Sequence, residues 1–61
     1  MHKFEILVVE DEENLHDALK LNLEMEGYNV SSSFDGADAL KQIQSAHFDL
    51  IILDVMLPSL D

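Results

Sequence analysis

Cysteine is absent from these 61 residues, which removes both the disulfide and the thiolate metal cluster as means of bracing a small fold. Long apolar runs are absent too. The longest are residues 6–9 and 50–53, too short to cross a bilayer, and Met1-His2-Lys3 is not followed by the core of a secretory leader. The expected protein is soluble and cytoplasmic, with no membrane partner. Positive charge is scarce: Lys3, Lys20 and Lys41 face thirteen acidic residues, for a net charge of −10. Such a surface repels nucleic acid and anionic lipid and favours small cations. Glycine is limited to two positions and proline to one, and the first loop has no glycine- or hydroxyl-rich stretch that could approach a nucleotide or flavin phosphate. What is abundant is apolar character. At 48% hydrophobic the chain is no disordered tail, yet a chain this short buries only about 60% of its unfolded surface, so its stability is expected to be marginal.

Residues 4–9 are apolar and β-branched except for Glu5, and four acids close them abruptly, Glu10-Asp11-Glu12-Glu13. This predicts a buried strand. From Asn14 the spacing of Leu15, Ala18, Leu19 and Leu23 predicts a helix, with Gly27 as its stop. Leu21 and Met25 widen the apolar arc beyond a single sheet contact. Residues 28–33 are polar apart from Tyr28 and Val30, which suits an edge strand. Asp35-Gly36 is read as a turn, and Ala37, Ala39, Leu40 and Ile43 as the apolar positions of a second helix ending near Ser45. Residues 50–53 are read as a last strand that stops at Asp54, and Pro58 marks a loop beyond it. Phe34 and Phe48 are expected as core anchors, and His2, His16 and His47 as surface histidines.

One β-α-β-α-β unit follows, an α/β fold with a parallel sheet and right-handed crossovers. The first and third strands are apolar on both faces and the second is not. The third should therefore add beside the first, giving the order 2-1-3 and a switch point at the carboxyl ends of strands one and three. Neighbouring strands lie about 4.8 Å apart, so Glu10 and Asp11 at one strand end and Asp54 at the other should converge. Three such carboxylates repel one another, and a divalent ion removes that cost. Oxygen ligands without sulfur favour Mg²⁺ or Mn²⁺. The competing role for acids here is helix capping, which suits Glu12 and Glu13 and suits Asp54 poorly, since no helix obviously follows it.

Ile6-Leu7-Val8-Val9-Glu10-Asp11-Glu12 resembles the opening of bacterial response regulator receiver domains. Glu26-Gly27-Tyr28 and Asp35-Gly36-Ala37-Asp38-Ala39-Leu40 resemble their next two junctions, and residues 49–58 resemble the segment around their phosphorylated aspartate. Four such pieces in order and spacing are specific. The resemblance implies a flavodoxin-like fold and a non-enzymatic phosphoacceptor module of a two-component system. It implies further that Asp54 takes a phosphoryl group from a histidine kinase or phosphotransfer domain, and that Mg²⁺ (or Mn²⁺) is held by Asp11, Asp54 and the backbone carbonyl of Met56, with Glu10 acting through water.

The family continues with two further strands carrying a hydroxyl residue and a lysine that contact the phosphoryl group, and residues 1–61 contain neither position. The chain is therefore read as a single partial receiver domain with impaired phosphotransfer. Its apolar third strand is left as an open edge, which predicts a homodimer or higher assembly through that strand, by antiparallel pairing about a two-fold axis or by exchange of elements. Leu21 and Met25 could be covered in the same way. Two alternatives stand beside this expectation. One is a haloacid-dehalogenase-type phosphatase, which wants an acid where Met56 stands; the other is an inert receiver fragment serving as a self-associating or half-domain interaction module.

Overall fold

The computed structural model describes residues 3–53. In chain order they form β1 (Glu5–Val9), α1 (Glu13–Met25), β2 (Asn29–Ser33), α2 (Gly36–Ser45) and β3 (Leu50–Leu53). The three strands make one parallel sheet in the order β2-β1-β3, as the polarity of the strands predicts. Ile6, Leu7, Val8 and Val9 are all buried, which only a central strand covered on both faces allows. The register pairs Val9 with Ser33 on one side and with Leu53 on the other, so all three carboxyl ends reach the same rim.

The chain steps from β1 to β2 and then returns past β1 to β3, so right-handed crossovers place the two helices on opposite faces. Leu7, Val9 and Ala39 form the core on the α2 face, with Phe48 packed against them. Alternation along the strand turns Ile6 and Val8 to the other face, where α1 contacts β1 and β2.

Each helix is stopped and started by local chemistry. Glu12 is the N-cap of α1, its carboxylate accepting the N–H groups of Asn14 at 3.3 Å and Leu15 at 2.8 Å. The helix ends where Gly27 adopts φ +95°. There the Gly27 N–H donates to the Glu24 carbonyl at 3.0 Å and the Tyr28 N–H to the Leu23 carbonyl at 3.2 Å, a Schellman closure. The expectation of a turn at Asp35-Gly36 is corrected: Asp35 is extended and caps α2 by accepting the Asp38 N–H at 2.7 Å, and Gly36 is already helical. Gln42 ties α2 back to the sheet, its amide donating to the Ser32 carbonyl at 2.8 Å and to Asp38 Oδ2 at 2.9 Å.

Exposure is high elsewhere. Leu50, Ile51 and Leu53 of β3 are exposed, Leu53 at 60%, because β3 pairs only with β1 among the described residues. Leu21 and Met25 are exposed on α1 as well. Phe34 is not the core anchor expected of it: it is 48% exposed and lies in the connection before α2.

Candidate functional site

The site is built where β1 leaves the sheet. The Glu10 N–H still donates to the Ser33 carbonyl at 3.0 Å, so the ladder runs one residue past the strand. The next peptide then turns away. Glu10 is 1% exposed, and its Oε2 accepts the Glu12 N–H at 2.7 Å. This fixes the side chain against the loop that follows it. Asp11, by contrast, is exposed at the rim. The four acids thus divide into two roles. Glu12 and Glu13 serve the start of α1, as the capping argument expects, while Glu10 and Asp11 stand together at the end of β1.

The loop is closed from beneath by His16, and here the surface assignment of that residue is corrected. His16 is 1% exposed, and its Nδ1 donates to the Glu10 backbone carbonyl at 2.9 Å. A carbonyl can only accept, so Nδ1 carries the proton. The His16 N–H donates in turn to the Glu12 carbonyl at 2.9 Å. The ring stacks on Phe34, centroids 4.2 Å apart and planes 21° apart, which joins the β1–α1 loop to the connection before α2. Its Nε2 is buried without a hydrogen-bond partner. A signal for this burial was present in the sequence: position 16 precedes Leu19 by three and Leu23 by seven, the spacing of one helix face. His47, in contrast, is exposed as expected and pairs with Asp49 Oδ1 at 3.2 Å.

The two flanks of the rim are made by β2 on one side of β1 and β3 on the other. Ser33 is fully buried and its hydroxyl donates to the Asp35 carbonyl at 2.9 Å. Leu53 ends β3 beside Val9. Asp54 and Met56, the other two expected ligands, lie outside the described residues. Among the described residues no group of three or more His, Asp or Glu side chains could hold a metal ion, and of the four expected ligands only Glu10 and Asp11 are among those residues. The donors present are carboxylate oxygens, a set suited to a hard divalent cation.

Comparison with known proteins agrees with this geometry. Residues 6–61 match the response regulator receiver domain family. The chain is 53% identical over 57 residues to the response regulator ArlR of Staphylococcus aureus strains Mu50, MW2 and USA300, an alignment covering 93% of this chain and 26% of each relative. It therefore spans about a quarter of the length of those relatives. The element order, the 2-1-3 parallel sheet and the match across residues 6–61 lead to one conclusion: the chain belongs to the response regulator receiver domain family of two-component signalling and carries the N-terminal part of its fold.

Proposed function

We propose that the chain is a phosphoacceptor module in which Asp54 takes a phosphoryl group from a phosphohistidine of a histidine kinase or phosphotransfer domain. The observation that carries this is the shared rim. Leu53 pairs with Val9, so the residue that follows β3 in sequence is Asp54 and the residue that follows β1 is Glu10, with Asp11 next. Two acids held at one strand end and a third following its neighbour favour a site for Mg²⁺ or Mn²⁺, with Asp11, Asp54 and the Met56 carbonyl as direct ligands and Glu10 acting through water. Glu10 suits the indirect role because its carboxylate is buried and already accepts the Glu12 N–H.

A divalent ion, when bound, offsets the repulsion between a carboxylate nucleophile and an already negative phosphoryl group. The chain's own contribution would be placement: the parallel register of β1 and β3 favours their following acids sharing one rim, where a phosphohistidine would approach. The new bond joins an Asp54 carboxylate oxygen to phosphorus as the bond from phosphorus to the donor imidazole breaks. This is acceptance of a group from a partner, not turnover of a substrate by this chain. It belongs in the cytoplasm, and among the described residues no helix is long and apolar enough to cross a membrane.

The exposed apolar edge at Leu50, Ile51 and Leu53 favours a second reading for the 61-residue chain by itself, a self-associating receiver fragment without phosphotransfer. Thermal melting in the presence of Mg²⁺ or Mn²⁺ separates the two. Under the phosphoacceptor proposal the ion raises the melting temperature of the parent and leaves Asp54→Ala unmoved, whereas a parent indifferent to the ion removes the basis for the proposal.

A further inference from the structure

We propose that His16 is a positioning residue for the ion-binding acids, acting through the backbone of Glu10. The inference rests on the receiver function proposed above and adds a residue to it. The Glu10 carbonyl and the Asp11 N–H belong to one planar unit, so whatever holds that carbonyl also sets the direction in which the chain enters Asp11. The Glu10 N–H stays with the sheet, donating to the Ser33 carbonyl at 3.0 Å. The Glu10 carbonyl accepts from His16 Nδ1 at 2.9 Å, from a fully enclosed position on the first turns of α1.

Two further bonds make this a frame rather than a single tether. The His16 N–H holds the Glu12 carbonyl at 2.9 Å, and the Glu12 N–H holds Glu10 Oε2 at 2.7 Å. Asp11 is thus suspended between two residues that are both fixed to His16. The ring is in turn braced by Phe34, so the loop after β1 is referenced to the connection after β2. A leucine would fill this helix position as well as a histidine, without burying a nitrogen. His16 keeps Nε2 buried and unpaired, a cost that packing alone does not explain.

The test uses two variants of the chain and free Mn²⁺ as the probe, with binding read by electron paramagnetic resonance and ion-free amide hydrogen exchange read at Glu12. His16→Phe keeps the ring and its stack on Phe34 but loses the donor. His16→Asn keeps an N–H at comparable reach but loses the ring. If His16 positions the loop, His16→Phe melts close to the parent without ion, exchanges the Glu12 amide faster, and binds Mn²⁺ about tenfold more weakly, as loss of a group orienting a metal ligand commonly does. His16→Asn melts lower yet keeps near-parental affinity. Parental affinity and parental Glu12 exchange in His16→Phe would overturn the proposal, as would an His16→Asn variant that folds but loses as much affinity as His16→Phe. A parent that binds no Mn²⁺ refutes the ion site instead, and the Glu12 exchange rates then still decide the role of His16.

Discussion

Single side chains carry electrostatic detail that the backbone does not reveal, and Asp38 is the clearest case. Its carboxyl is held below the usual aspartate range, first by the Gln42 amide that donates to it, with Lys41 assisting and desolvation opposing. A depressed value in the folded state means that Asp38 favours folding above about pH 4 and that this support is lost as the pH falls through the depressed value. Gln42→Leu removes the leading cause. Nuclear magnetic resonance titration of the Asp38 carboxyl in that variant is expected to move upward toward the ordinary value, with acid unfolding beginning at higher pH; an unmoved titration would assign the shift elsewhere. The same scale explains why Glu10 and Asp11, neighbours in sequence, are not equivalent: one is buried and bonded to the Glu12 amide, the other is exposed at the rim.

At the level of elements, the close of α1 depends on one residue. Gly27 sits at φ +95° with no atom within 4 Å of where a Cβ would stand, so an alanine there meets backbone strain and no clash. Gly27→Ala should cost about 1 kcal/mol, measured by thermal or urea unfolding, and a neutral result would mean that the helix end repacks without the left-handed turn. Much at this scale was legible beforehand. The strand order followed from the contrast between β1 and β3 on one hand and the serine-rich β2 on the other, and the stop at Gly27 followed from its lack of a side chain. What escaped the sequence was the use of polar groups inside the structure. Polarity alone reads His16 as outward, against its spacing from Leu19 and Leu23, but a ring whose one nitrogen finds a carbonyl can be enclosed at low cost on that side. Phe34 misled in the opposite sense: its apolar character suggested the core, yet it braces His16 from an exposed connection. Asp-Gly serves turns and caps equally well, so the pair reads as a turn in sequence although Asp35 caps α2.

For the whole molecule the deciding quantity is uncovered apolar surface. A compact core of Leu7, Val9, Ala39 and Phe48 is accompanied by an open β3 edge and by Leu21 and Met25 on the outside of α1. Expressed as these 61 residues, the chain is expected to associate through β3, and sedimentation over a micromolar concentration series should show dimer or larger species. Leu53→Lys, placing charge on the most exposed residue of that edge, should shift the equilibrium to monomer. A parent that sediments as a well-folded monomer across the series would refute the prediction. The net charge of −10 opposes association at low salt, so the dimer should strengthen as ionic strength rises.

The order β2-β1-β3 also has a consequence in time. The outer strands never touch each other, and every ladder in the described sheet runs through β1. On a ribosome, β1 can gain its near partner β2 while its other flank waits for β3 to emerge. Until then one side of the sheet's most buried strand stands bare, a window in which a chaperone or a sister chain competes with β3.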